Sequence, residues 1–260
     1  MTTDELRINA AQEAERIAAF VRSELQAAGR SRVVLGLSGG LDSAVVSYLC
    51  VLAAGPGQVC PVIMPYRTST PDSVAHARMV CDALDLDPIT SEISACVDAF
   101  EQTLGGSDAR QLGNVMARTR MILLYAQSDR LGALVAGTGN RTEAMLGYTT
   151  LHGDSACAFG PIRHLYKSQV RQLARYLNVP TEIIDKPPSA DLWPGQTDEG
   201  ELGFAYDQVD RLLFQLHDKG RTDDELAAAG FDPSLVTKVK NLVARSEFKR
   251  RMPHSLLGPR

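Results

Sequence analysis

Six residues, Ser38-Gly39-Gly40-Leu41-Asp42-Ser43, constrain this chain more than any other stretch. They follow a short apolar run, Val33-Val34-Leu35-Gly36-Leu37, that reads as a buried parallel strand, and they precede a helical stretch from Ala44 to Leu52. Glycines at such a junction let the backbone approach a ligand closely, and the first amides of the helix then point at it. That geometry suits an anion such as pyrophosphate. The motif lacks the Gly-Lys-Ser/Thr ending of a Walker loop, so γ-phosphate transfer is not implied, and it lacks the glycine spacing of a dinucleotide fold. A glycine turn that merely joins strand to helix is the plainer alternative.

The strand-turn-helix pattern repeats along the chain. Ile8, Ala11, Ala14, Ile17, Val21 and Leu25 recur at helical spacing and predict an amphipathic helix from about Asp4 to Ala28. Val59–Met64 reads as a strand and Pro71–Leu84 as a helix, with proline at a favourable first-turn position. A strand at Ile89–Ile93, helices at Val97–Leu104 and Arg110–Leu131, a strand at Ala133–Ala136 and a helix at Tyr166–Leu177 follow. Alternating strands and helices predict an α/β fold, a doubly wound parallel sheet with helices on both faces. The Pro- and Gly-rich stretch from Lys186 to Glu199 holds the chain's one tryptophan and predicts a mobile lid near residues 186–202 within a single domain spanning 1–260.

A net charge of −4 argues against a broad nucleic-acid surface. No apolar stretch is long enough to cross a bilayer, and the first 30 residues mix acids and bases, unlike a secretory signal. The five cysteines are odd in number and form no Cys-x-x-Cys pair, which fits a reducing compartment with mostly small buried thiols. A cytoplasmic protein is expected.

Ser-Gly-Gly-x-Asp-Ser is the signature of the ATP pyrophosphatase family, which has an adenine nucleotide alpha hydrolase-like fold. Within that family the chain resembles ammonia-dependent NAD synthetases. Four further blocks carry the likeness, in the same order: Ala117-Arg118-Thr119-Arg120-Met121, Gly137-Thr138-Gly139-Asn140-Arg141-Thr142-Glu143, the run from Pro187 to Glu199, and Glu247-Phe248-Lys249-Arg250-Arg251. The resemblance implies that ATP is cut between its α and β phosphates to adenylate the carboxylate of deamido-NAD, which ammonia then amidates to NAD.

Carried across residue by residue, Gly36, Leu37, Ser38, Gly39, Gly40, Leu41, Asp42 and Ser43 would form the ATP loop, with Thr138 also against ATP. Asp42 and Glu143 resemble magnesium ligands, hard oxygens that suit Mg²⁺. Lys167 and Ser189 match positions that face the triphosphate once the lid closes. Arg118, Arg120, Tyr125, Asp154 and Lys249 would bind the acceptor substrate, the arginines through forked donors. Plainer readings stand beside these: a loop acid as a cap, Lys167 as an exposed lysine in a first helical turn, Tyr125 as a core residue. A homodimer is implied, with the Arg110–Leu131 helix a candidate interface, and the nitrogen would come as free ammonia or from a separate glutaminase.

The acceptor half departs from the family pattern. Leu151 stands where a lysine is usual, Ser155 and Ala156 replace glycines, Ala158 replaces an aspartate, and Phe248 replaces a histidine. Losing charged hydrogen-bond partners removes about 1.5–3 kcal/mol each. A paralogue that adenylates a different carboxylate is therefore the second expectation, and a tRNA-modifying ATP pyrophosphatase a distant third.

Overall fold

The computed structural model describes residues 3–189, 200 and 203–252. Among them, strands β1 Arg32–Gly36, β2 Val59–Ile63, β3 Ile89–Thr90 and β4 Ala133–Val135 form one parallel sheet in the order β3-β2-β1-β4. Val33 of β1 lies opposite Val59 on one side and Leu134 on the other. The chain steps outward from β1 to β3 and then returns to the far side of β1 for β4. The topological switch therefore falls between β1 and β4, where open α/β sheets bind ligands outside their carboxyl ends. The glycine motif follows β1 and the Gly137–Glu143 block follows β4, so the fold brings both to that crevice.

Helices cover both faces, as the alternation predicts. Val33 and Leu35 pack with Ile17 and Val21 of α1 (Ala10–Ala27), Val45 and Leu49 of α2 (Leu41–Ala54) and Val170 of α7 (Lys167–Tyr176). Val34 and Val62 face the opposite layer, against Val97 of α4 (Ser94–Leu104) and Met116 of α5 (Ala109–Leu131). A strand buried on both faces needs apolar residues throughout, which is why β1 reads as an unbroken run. Two further helices flank these layers, α3 (Pro71–Leu84) and the short α8 (Thr181–Ile184).

A third buried cluster lies toward the C-terminal part. There α9 (Tyr206–Leu213), α10 (Asp223–Ala228) and α11 (Pro233–Arg245) pack on Tyr166 and on Leu146 of α6 (Arg141–Leu146). Leu6 joins the same cluster, tying the first residues to the last helices.

The boundaries differ from the sequence expectation in instructive ways. α2 begins at Leu41, not Ala44, so Asp42 and Ser43 occupy its first turn behind an extended Gly40. α1 begins at Ala10 because the Asn9 side chain accepts from the Gln12 amide and caps it. β3 is only two residues long. Among the cysteines Cys50 and Cys81 are buried, Cys60 and Cys157 are half-buried and Cys96 is exposed, fewer buried thiols than expected.

Candidate active site

A cavity of about 560 Å³ opens at the carboxyl ends of the strands. Gly36, Leu37, Ser38, Gly40, Leu41, Asp42 and Ser43 line one side, and Gly137, Thr138, Gly139 and Glu143 line the other. The glycine loop is held by its own serines. Ser43 Oγ receives the Ser38 amide at 3.2 Å and donates to the Gly40 carbonyl at 3.0 Å, while the Gly40 amide donates to Ser38 Oγ at 3.2 Å.

Gly39 has a role the sequence did not reveal. It does not line the cavity. Its φ is +77°, and a Cβ built there would stand 2.1 Å from the Ser73 carbonyl oxygen. The close approach of α3 requires glycine at this position.

The chemical centre is an acid–lysine–acid cluster. Lys167 Nζ is bonded to Asp42 Oδ2 and lies 3.3 Å from Glu143 Oε1. The lysine side chain is 4% exposed, against 16% and 18% for the two acids. Asn140 fixes both acids: its side-chain amide donates to Asp42 Oδ1 at 2.9 Å, and its carbonyl oxygen accepts the Glu143 amide at 3.0 Å. The Tyr206 ring lies 5.4 Å from the lysine nitrogen. Lys167 is therefore not the exposed helical lysine that its sequence context allowed. Sequence reasoning did not assign Asn140 a role, although the Asn140-x-x-Glu143 spacing is a capping-box signal.

The remaining expected residues fall in different places. Ser189 lines the cavity, with Lys186, Pro187 and Pro188 before it. The rest of the expected lid, residues 190–199, 201 and 202, lies outside the described residues, including Trp193 and the Gly195–Glu199 block. Arg120 lines the cavity and donates from Nε to the Met64 carbonyl at 3.1 Å. Arg110, Asn114, Ala117, Met121 and Leu124 share that face of α5, and the helical period explains why. Neighbouring Arg118 is turned away by about 100°. Arg118 and Tyr125 are exposed and do not line this cavity.

Asp154 and Lys249 also border the cavity, as parts of a braced wall. Asp154 accepts from Thr149 Oγ1 at 2.5 Å and from the Thr150 amide at 2.7 Å. Lys249 Nζ donates to the Gly147 and Thr149 carbonyls at 2.8 and 2.7 Å. Burial lowers the Lys249 pKa, Arg118 pushes the same way, and Asp154 opposes both. Cys157 packs against Gly137, and burial raises its thiol pKa, so it stays a neutral packed group. Among the described residues no three His, Cys, Asp or Glu side chains gather as a self-sufficient metal site.

A parallel sheet with a Ser-Gly-Gly-x-Asp-Ser loop at its switch point, facing paired carboxylates, defines an α/β nucleotide-binding protein of the adenine nucleotide alpha hydrolase-like fold. Comparison with known proteins narrows the class. The pattern of the NAD synthase family matches residues 13–253, and the chain belongs to that family. It is 44% identical over 250 residues to the NH(3)-dependent NAD(+) synthetase of Fusobacterium nucleatum, covering 96% of this chain and 97% of that one. Among solved structures, the NH3-dependent NAD synthetase of Campylobacter jejuni in complex with nitrate superposes with a TM-score of 0.83 and 35% identity, over 96% of this chain and 100% of that one. The NMN synthetase of Francisella tularensis superposes with a TM-score of 0.86 and 30% identity, over 96% and 99%.

Proposed function

We propose that this chain amidates deamido-NAD to NAD, using ATP and ammonia and releasing AMP and pyrophosphate. The observation that carries the reading is the convergence of Asp42 and Glu143, from the first turns of α2 and α6, on one buried ammonium beside the glycine loop.

A carboxylate resists amidation because oxide is a very poor leaving group. In the proposed sequence a carboxylate oxygen attacks the α-phosphorus, and the bond to the β-phosphate breaks toward pyrophosphate. The ammonia lone pair then adds to the acyl carbon, AMP departs with the carbon–oxygen bonding pair, and the nitrogen loses a proton to solvent. The Ser38–Ser43 loop and the first turn of α2 would cradle the phosphates, Thr138 would contact the nucleotide, and Lys167 and Ser189 would face the α-phosphate.

The family implies magnesium, and the residues present fit it. Asp42 and Glu143 both border the cavity and offer hard carboxylate oxygens, and these two acids would hold the ion alongside the Lys167 ammonium. Mg²⁺ is commonly held by one or two carboxylates, with phosphates and water completing its shell. Bound there, it would neutralise charge growing on the departing pyrophosphate.

We further propose a homodimer that uses the outer face of α5, where Ile122 and Tyr125 are 51% and 40% exposed and Arg118 stands beside them. Arg118 and Tyr125 would then serve acceptor binding across that interface. Ammonia would arrive free or from a separate glutaminase. Among the described residues no helix is long and apolar enough to cross a membrane.

One observation favours a second acceptor, the mononucleotide. The structural likeness to the Francisella protein, named an NMN synthetase, accompanies an acceptor segment with Leu151, Ala158 and Phe248. Pyrophosphate release with ATP, Mg²⁺ and ammonia decides between them. Turnover with deamido-NAD supports the main reading; silence with it and turnover with nicotinate mononucleotide establishes the second.

A further inference from the structure

Asp210 is fully buried, yet it does not line the cavity. Its two oxygens are divided between the two elements that carry the acid–lysine pair. Oδ1 accepts from Thr142 Oγ1 at 2.6 Å, beside Glu143 on α6. Oδ2 accepts from the Ser168 amide at 2.7 Å, beside Lys167 on α7. Thr142 Oγ1 in turn accepts the Lys167 amide at 3.0 Å.

The first amides of a helix have no partner within the helix and need acceptors from elsewhere. Two of those on α7 are satisfied by Thr142 from α6 and Asp210 from α9. Among the described residues, the Asp210 charge is answered by neutral donors and by the positive end of α7. Tyr206, one helical turn earlier on α9, lies beside the lysine nitrogen, so the same helix supports both the backbone and the head group of Lys167.

We propose that Asp210 is a positioning residue of this site, fixing Lys167 against Glu143 by capping α7 from outside the cavity together with Thr142. The role rests on the adenylation reading above. It needs no contact with substrate. A lysine moved by about 1 Å relative to the reacting phosphate can cost about a hundredfold in rate, so a cap that sets the start of α7 is felt in kcat rather than in ATP binding.

The test compares purified Asp210→Asn, Asp210→Ala, Thr142→Val and Thr142→Ser with the parent protein. Readouts are pyrophosphate release with the acceptor that the parent uses, circular dichroism, and hydrogen exchange of the peptide spanning the first turn of α7. Asp210→Asn and Thr142→Val should remain folded and lose at least about tenfold in kcat, while KM for ATP changes less than about threefold. Thr142→Ser, which keeps the hydroxyl, should restore most of the rate. The double variant Asp210→Asn with Thr142→Val should be little worse than either single change, since both open one cap. Exchange at the start of α7 should quicken in the impaired variants.

Unchanged kcat in folded Asp210→Asn, or a loss seen only in KM for ATP, would overturn the proposal. If neither Asp210 variant folds, the Thr142 pair decides: equal rates for valine and serine sink it. A parent protein that releases no pyrophosphate with any carboxylate would instead refute the adenylation reading, and the exchange measurement would still report on the cap.

Discussion

Lys167 and Asp42, 125 residues apart in sequence, are joined by a hydrogen bond at the edge of the cavity, with the lysine side chain the more buried of the two. The lysine stands in the first turn of α7, where the helix dipole disfavours a cation. Asp42, Glu143 and the face of Tyr206 offset that cost. A buried ammonium held on two carboxylates beside a phosphate cradle suits electrostatic stabilisation of charge that develops during transfer.

The Lys167→Met variant should therefore lose about 10²- to 10³-fold in kcat for pyrophosphate release, with KM for ATP changed far less. Steady-state kinetics with varied ATP checks this. A variant that keeps its kcat and merely binds ATP weakly would remove Lys167 from the transition state.

Asp42 and Glu143 should differ from Lys167 in their dependence on magnesium. Asp42→Ala should abolish pyrophosphate release with every acceptor. Glu143→Gln should keep some activity but need a higher Mg²⁺ concentration for half-maximal rate, because one anionic oxygen ligand is lost. Titrating Mg²⁺ at fixed ATP distinguishes the two, and chelation of the metal should stop the parent enzyme. Equal Mg²⁺ requirements in Glu143→Gln and parent would reassign that residue.

The two glycines of the motif should respond in opposite ways to alanine. At Gly39 the added methyl meets the Ser73 carbonyl on backbone already at positive φ, so Gly39→Ala should destabilise the fold by more than about 1 kcal/mol. At Gly40 the nearest obstacle is Ser38 Oγ at 3.3 Å and the backbone is extended. Gly40→Ala should fold normally and weaken ATP binding. Thermal melts with ATP affinity measured alongside separate these outcomes; a Gly39→Ala protein as stable as the parent would mean that α3 can retreat.

The architecture was legible because it rests on local signals. Buried parallel strands must be apolar on both faces, and β1 declares itself as Val33-Val34-Leu35. The motif's place between β1 and α2 follows directly. Asp42, Glu143 and Lys167 could be named from the family pattern, but their convergence could not be read from spacing, because it depends on the chain returning across the sheet to place β4 beside β1. The three-residue offset at α2 and the late start of α1 turn on caps at Gly40 and Asn9, where propensity in the flanking residues is weak. Arg118 and Arg120 both come from the family pattern, and the helix places them on different faces of α5, only Arg120 bordering the cavity. Asp210 carried no signal: an acid in an amphipathic helix ordinarily faces water, and only the packing of α9 on α6 and α7 buries it.

Burial of Asp210 leads to a pH dependence of definite sign. Burial is the largest influence on its carboxyl and raises its pKa above 3.8; the bonds from Thr142 and Ser168 oppose this without cancelling it, and Asp207 adds to the rise. The native state thus holds this proton more tightly than the unfolded chain does. Stability from this group is present below pH 3.8 and is lost as pH climbs through the raised native value. Asparagine does not titrate. The stability of Asp210→Asn relative to the parent should therefore shift in favour of the variant as pH rises from about 3.5 toward neutrality, then level off. Denaturant unfolding of both proteins across that range measures the difference directly. A difference that stays flat, or moves against the variant, would mean that the carboxyl keeps its ordinary affinity for protons. With the kinetic loss expected for the same substitution, a buried charge would be kept at this position for the geometry it imposes on Lys167 and Glu143, at a cost to stability near neutral pH.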